Sequence, residues 1–424
     1  MTLELNGRRI FAKGTNFVPP EIFASKLNYE IYKKQLQLVL DCNMNIIRMW
    51  GGGLVNKESF FELCDEMGIM VWQEFPLACN NYKDNDHYLK VLDKESRSII
   101  KRLKKHPSVV MWCGGNELFC SWSGMTNQSK AIRLLDKNCY ELDENTPYLQ
   151  TSPLYGMGHG HYMPFSSMFT ETMTDIIESD FTAYTEFGVP APSPFEYIKK
   201  FTPEEEWYTV EPGTSWEWHH ALKAWDGNEN TWFCRDMIER YYGKAKTLGE
   251  IIENGVELQG EVLKHIFEEA RRKWPKTSMA LNWCFNEPWP SAANNSVINY
   301  PDIPKQGYYG VQAALRNQMF SVRVKKMIHY PGSTLNFEIH LLNDLPEKLK
   351  GQKFSVELSD KNGTFKRWDN LYSNEVEERS SNIILALSTV LPNSISNKFK
   401  INIICEDKHL SSEYLMFART PDLV

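Results

Sequence analysis

The stretch Val109-Val110-Met111-Trp112-Cys113-Gly114-Gly115-Asn116-Glu117-Leu118 decides the fold. An apolar, β-prone run stops abruptly at two glycines, an amide and a carboxylate. A strand buried on both faces of a parallel sheet reads as such an unbroken apolar run. The polar residues then fall at its carboxyl end, which in an α/β barrel is where chemistry is done. A second carboxylate, Glu186, stands in a similar setting in Tyr184-Thr185-Glu186-Phe187-Gly188.

Working outward, strand-like segments alternate with helical patterns through the first three quarters of the chain, the signature of βαβ units. Ile10–Phe17 predicts a first strand, followed by a helix at Tyr29–Asp41. A second strand at Asn43–Trp50 precedes a helix at Lys57–Met67, and a third at Gly68–Phe75 precedes a helix near Leu89–Lys105. After the Glu117 strand come weaker ones at Tyr148–Ser152, near Gly160–Met163 and at Phe181–Thr185. The segment Leu248–Trp274 repeats apolar residues with a helical period, and Ser278–Phe285 supplies the eighth strand. Eight alternations in roughly 300 residues fit a (β/α)8 TIM barrel better than an open doubly wound sheet. Phe187 to about Asp236, rich in Pro, Trp and Glu, reads as a long irregular loop at the catalytic face with short helices.

Past about Gln318 the period changes to two. Leu335, Phe337, Ile339 and Leu341 alternate with polar residues, as do Phe354, Val356 and Leu358, and Asn362-Gly363 is a hairpin signal. An all-β, immunoglobulin-like sandwich is expected over residues 319–424, after a barrel over residues 1–318.

The chain has 424 residues, with 42% hydrophobic and 24% charged, an ordinary globular balance. A net charge of −7 gives no reason to expect nucleic acid or an anionic membrane as partner. Thirteen Trp, nineteen Tyr and twenty-two Phe offer flat faces of the kind sugar rings stack on, though large cores also consume them. Nine scattered cysteines without a pairing framework read as free thiols in a reducing compartment. The opening Met1-Thr2-Leu3-Glu4-Leu5 is no signal peptide, and no apolar run reaches membrane-spanning length. The expectation is therefore cytoplasmic as written, with a periplasmic or secreted precursor if the amino terminus is truncated.

Glu117 and Glu186 are the candidate catalytic pair. A retaining glycosidase needs one carboxyl protonated for the leaving oxygen and one ionised as nucleophile, about 5–5.5 Å apart. Glu117, after the apolar Trp112 strand, suits the acid; Glu186 needs a basic neighbour. Arg48, inside Ile46-Ile47-Arg48-Met49-Trp50, must meet an anion if buried, either the nucleophile or a structural Asp or Glu. The glycines at 51–53 lack the context of a phosphate loop. His159-Gly160-His161 and His219-His220 lack metalloprotease spacing, so no metal and no cofactor are expected; satisfied or substrate-facing histidines are the reading, with His161 the candidate contact. Trp283, Trp289 and the pair Trp216/Trp218 are candidate stacking faces, and Trp289, nearest the last strand's carboxyl end, is preferred, alongside Trp50.

Taken together, these residues resemble glycoside hydrolase family 2, β-mannosidase-like branch. The likeness begins at Asn6-Gly7-Arg8-Arg9-Ile10-Phe11-Ala12-Lys13-Gly14-Thr15-Asn16 and continues through Ile47-Arg48-Met49-Trp50-Gly51-Gly52-Gly53 and Trp72-Gln73-Glu74-Phe75. His106 to Glu117 is similar to the family's acid/base motif, Thr185-Glu186-Phe187-Gly188 to its nucleophile motif, and Asn282 to Pro290 to its last barrel strand. The resemblance implies a retaining exo-β-glycosidase with Glu117 as acid/base and Glu186 as nucleophile. It also implies that Asn116 bonds the sugar 2-hydroxyl and that Arg48 steadies the nucleophile.

An oligosaccharide or glycoside is the implied partner, with β-mannosides the leading substrate. The alternatives are another β-specificity (galactoside, glucuronide, glucosaminide) or a non-catalytic carbohydrate-binding remnant. Glu74 and Gly115 stand where the branch tends to show Asp and Asn, which leaves the sugar open. Family members usually begin with a jelly-roll domain and a further sandwich. A chain that starts at the barrel reads as a fragment, a truncated gene model or a short relative with a more open cleft.

Overall fold

The computed structural model describes residues 1–166, 170–223 and 232–419. Eight parallel strands form one curled sheet: β1 (Ala12–Phe17), β2 (Ile46–Met49), β3 (Met70–Glu74), β4 (Val109–Cys113), β5 (Tyr148–Leu149), β6 (Met157–His159), β7 (Ala183–Glu186) and β8 (Met279–Asn282). Their order, β5-β4-β3-β2-β1-β8-β7-β6, follows the chain around a ring, as in a (β/α)8 barrel. No ladder joins β5 to β6 among the described residues; just past β5, Ser152 Oγ reaches β7 instead, donating to Thr185 Oγ1 across 3.0 Å.

Because strand side chains alternate, each strand sends one parity inward. Ala12, Ile46, Met70, Trp72, Met111, Cys113, Met279 and Leu281 form a separate apolar plug inside the barrel. Continuing the same parity toward the carboxyl ends, two steps from Ala12 and one from Ile46 and Trp72, brings Asn16, Arg48 and Glu74 to the top of that plug. The other parity, including Ile47, Met49, Val71 and Trp112, packs outward against the helices. Gly14 is required at the crossing of β1 and β2, since a Cβ there would lie 1.9 Å from the Ile46 carbonyl oxygen.

The helices follow their strands. α1 (Tyr29–Asp41) is capped by Asn28, whose side chain accepts from Ile31 N, and α2 (Glu58–Met67) ends at Gly68 with φ +71. α3 (Asp86–Leu103), α4 (Lys130–Leu142), α5 (Thr172–Glu178), α6 (Leu248–Arg272) and α7 (Gln306–Ala314) complete the outer layer.

Two expectations shift. The sixth strand lies at Met157–His159, not near Gly160–Met163, because Gly160 takes φ +93 and leaves the sheet. Ile10 belongs to a preceding hairpin, Leu3–Leu5 against Arg8–Ile10, turning at Asn6-Gly7 with φ of 52° and 72°. The segment after Glu186 is irregular as expected, with short helices at Phe195–Ile198 and Ser215–Trp218; part of it, 224–231, lies outside the described residues.

Two sheets follow the barrel. One has β9 (Gln318–Val324), β11 (Thr334–Asn343) and β14 (Ser380–Val390), antiparallel throughout. The other runs β10 (Ile328–His329), β16 (Ser412–Ala418), β15 (Lys398–Cys405), β12 (Lys353–Asp360), β13 (Gly363–Tyr372), with one parallel pair, β10 on β16. Phe337, Val356, Ile401 and Phe417 belong to their shared core. α6 joins the two halves: Glu269 on it binds Arg323 of β9 at 2.9 Å. No described helix is long and apolar enough to cross a membrane.

Candidate active site

Arg48 organises the site. Its side chain is wholly buried at the top of the plug, and every donor on it has an oxygen to meet. Nε and Nη2 donate to Glu74 Oε1 at 2.9 and 2.7 Å, and Nη2 also donates to Asn116 Oδ1 at 2.6 Å. Nη1 donates to Asn16 Oδ1 at 2.6 Å and to Glu186 Oε1. Burial alone pulls the guanidinium pKa down, but Glu74 and Glu186 more than offset this and it ends above its ordinary value. Of the two anions open to Arg48 from the sequence, the structure supplies both. Burial drives the Glu74 carboxyl up against the pull of Arg48.

Glu186 ends β7, 3% exposed. Burial pushes its pKa up, yet the nearby charges of His159 and Arg48 and the hydrogen bond from Tyr162 outweigh that and hold it at about 2. The Tyr162 hydroxyl donates to Oε2 at 2.6 Å. Glu186 is therefore an anion throughout the neutral range.

Glu117 follows β4 with φ +54, a left-handed turn. Its backbone N–H donates to Ser152 O at 2.7 Å, and that of Asn116 to Leu77 O at 2.9 Å, so neighbouring loops fix the turn on both sides. Gly115 takes φ +149, and a Cβ there would lie 2.3 Å from Leu77 O. That backbone has no room for the Asn that the mannosidase branch tends to carry at this position. The Cys79 thiol donates to Glu117 Oε2 at 3.3 Å and accepts from Asn116 Nδ2 at 3.3 Å.

His159, at the end of β6, stands between the two carboxylates. Nε2 is 3.0 Å from Glu117 Oε1 and 3.2 Å from Glu186 Oε2, aligned for a hydrogen bond with neither. The contact is one of charge rather than a directed bond. Burial lowers the imidazole pKa, but Glu186 and Glu117 raise it further, to about 8. The ligating atoms of Glu117, His159 and Glu186 all lie within 4.8 Å of one another.

These groups open on a cleft of about 1820 Å³, walled by Trp50 and Trp283, whose rings meet edge to face at 5.2 Å. Of the residues singled out in the sequence, Glu117, Glu186, Asn116, Arg48, Trp50 and Trp283 converge here. His161 does not line the cleft; its Nε2 faces Asp175 Oδ2 at 3.8 Å. Trp289 is stacked on His219 at 5.1 Å, also outside the lining. The structure puts His159 where His161 was expected, because the β6 strand ends at His159, four residues before the expected end. Glu74, Tyr162, Cys79 and Asn16 were missed as site residues. Glu74 had a signal, a carboxylate two positions from Trp72 in a buried strand, which can be tolerated only beside a cation.

The description "Glycosyl hydrolases family 2, TIM barrel domain" matches residues 1–244, more than half of the chain. The chain belongs to glycosyl hydrolase family 2. Within the curated relatives of this family 2 barrel, it is 35% identical to beta-mannosidase of Capra hircus over 167 residues, 36% of this chain and 19% of that protein. It is 25% identical to beta-mannosidase B of Neosartorya fischeri over an alignment of 460 residues, 98% of this chain and 51% of that one. The crystal structure of beta-D-mannosidase from Dictyoglomus thermophilum matches with a TM-score of 0.82 at 28% identity, covering 98% of this chain and 51% of its own. The family 2 chain described here thus spans about half, or less, of the length of the relatives it matches.

Proposed function

We propose that this chain is a retaining β-glycosidase that acts on neutral terminal β-glycosides, β-mannosides foremost. The observation that carries the reading is the spacing of the carboxylates, whose facing oxygens lie within 4.8 Å. Direct attack by one carboxylate needs a pair about 5–5.5 Å apart, whereas an intervening water needs about 6.5–9.5 Å.

Glu186, ionised and oriented by Arg48 and Tyr162, attacks the anomeric carbon. Glu117 gives its proton to the departing oxygen, and a glycosyl ester on Glu186 forms. Glu117, now a base, takes a proton from water as that water attacks the same carbon, and the Glu186 carboxylate leaves. Arg48 fixes the Asn116 amide with Oδ1 toward the guanidinium, which leaves Nδ2 on a weak sulfur acceptor. That N–H exchanges readily for a sugar 2-hydroxyl, a bond that strengthens as oxocarbenium charge develops.

The mannoside preference is supported by the beta-mannosidase names of the relatives. A glucuronide finds little here: among the described lining residues there is no arginine, and the single lysine, Lys57, spends its Nζ on Leu27 O at 2.6 Å. His220 is pushed below its ordinary pKa by burial and brings no charge at neutral pH. A panel of p-nitrophenyl β-glycosides tests the reading, with Glu186→Ala and Glu117→Ala expected to abolish turnover and azide to rescue Glu117→Ala on an activated substrate. Full activity in either variant ends the assignment.

A further inference from the structure

We propose that Glu117, His159 and Glu186 form a binding site for one borderline-soft divalent cation, of the Zn²⁺ or Co²⁺ class, that shuts the catalytic centre by occupying it. This goes beyond the glycosidase reading, because the ion is an exogenous ligand and its binding can be read without any substrate.

The donor set is built in. One imidazole nitrogen and two carboxylate oxygens lie within 4.8 Å of one another. A tetrahedral ion with bonds of about 2.0–2.2 Å holds its ligand atoms roughly 3.3 Å apart. The two nitrogen-to-oxygen distances, 3.0 and 3.2 Å, are already close to that. His159 Nε2 is buried and meets no acceptor along a hydrogen-bond direction, although its side chain is only 4% exposed. A nitrogen held between two oxygens and aligned with neither is placed for a body between all three.

The orientation of two of the three ligands, His159 and Glu186, is also fixed from behind. Nδ1 of His159 lies 3.2 Å from Thr185 Oγ1; Glu186 Oε1 is taken by Arg48, while Oε2, which accepts one bond from the Tyr162 hydroxyl, also faces His159 at 3.2 Å. Second partners of this kind set the direction of metal ligands. The ion takes the place of the imidazole proton, which is released to solvent; with that proton gone, Glu74, Glu117 and Glu186 face a single guanidinium, and charge favours a cation. The fourth position opens on the cleft, where water is available. Cys79, with Sγ 3.3 Å from Glu117 Oε2, is the neighbouring soft donor that a test has to separate from the trio.

The probe is Co²⁺, whose visible d–d bands report tetrahedral N/O ligation, titrated into the full chain at one fixed pH. The expected result is one equivalent of bound Co²⁺, displaced by one equivalent of Zn²⁺. Zn²⁺ inhibition of aryl glycoside hydrolysis should then be competitive with substrate. His159→Asn and, independently, Glu117→Gln should each weaken Co²⁺ binding by roughly 100-fold, the upper range for disturbing a metal site even from outside its ligands. Cys79→Ser should leave the bands in place. Bands absent from the unmodified chain would overturn the proposal, and so would bands unchanged in both His159→Asn and Glu117→Gln. Loss of the bands in Cys79→Ser alone would assign the metal to the thiol and overturn it too. A chain that binds Co²⁺ as expected but hydrolyses nothing would refute the glycosidase reading and leave this one standing.

Discussion

Glu74 takes two hydrogen bonds from Arg48 on one oxygen, Oε1, at 2.9 and 2.7 Å, while its other oxygen accepts the Gly51 N–H at 2.8 Å. The guanidinium is thereby clamped from the rear before it meets Glu186 and Asn116 in front. Glu74 touches no substrate; it is a positioning residue. Glu74→Gln keeps the shape and removes the charge. A loss of about 100-fold in kcat with KM little changed is expected, comparable to removing one preorganised electrostatic support. Steady-state kinetics on an aryl glycoside decide it; an equal loss in KM alone would mean that Glu74 serves binding instead.

Arg48→Met leaves two buried carboxylates without their cation. Unpairing a buried ion typically costs about 3–5 kcal/mol. Urea unfolding should show a midpoint far below that of the unsubstituted chain. A midpoint within error of it would mean that Glu74 and Glu186 are not both charged.

His159 gives the folded chain a pH signature with a definite sign. Its pKa is raised to about 8 by the two carboxylates. Its contribution to stability is therefore complete below its ordinary unfolded value and disappears as pH rises through about 8. The span corresponds to about 2 kcal/mol. Glu186 works at the other edge: held at about 2, it contributes above the ordinary carboxylate range and loses that contribution as pH falls toward 2. Thermal melts between neutral pH and pH 9 should fall for the unsubstituted chain, and the slope should flatten in His159→Asn.

Tyr162→Phe deletes the hydroxyl that donates to Glu186 Oε2. The Glu186 carboxylate becomes more basic, and the acid limb of kcat/KM moves to higher pH. A decrease in rate of about 10- to 100-fold at neutral pH accompanies the shift. An acid limb that stays in place would show that Arg48 and His159 alone hold the charge.

Gly115→Ala puts a Cβ 2.3 Å from Leu77 O on a backbone at φ +149. Strain of about 1–3 kcal/mol is expected, and because Asn116 and Glu117 follow directly, kcat should fall more steeply than the melting temperature. Melting scans and kinetics on the same preparation separate the two.

Much of this was written in local pattern. Unbroken apolar runs ending in polar residues marked β2, β3 and β4, because a strand covered on both faces has no reason to alternate. Glu117, Glu186 and Arg48 were legible for the same reason: ionisable groups at the ends of, or inside, such runs demand partners. The short strands were harder. β5 and β6 have two and three residues, too few for a period to show, and Gly160 moved the end of β6 away from His161. Tyr162 and Cys79 sit in loops, where position is set by tertiary contact and no spacing rule applies. Trp289 lay next to the right strand but turned to His219 instead.

The ring of staves has one seam, between β5 and β6, where no backbone ladder forms among the described residues. β6 is thus secured along a single edge, and it is the stave that bears His159. Local opening costs least where backbone pairing is fewest, so amide exchange around Met157–His159 should outpace that of β2 or β3. Each such opening would withdraw the imidazole from between Glu117 and Glu186 and let the two carboxylates drift independently. The looseness of one edge of the barrel thereby becomes a clock on how long the catalytic pair stays in register.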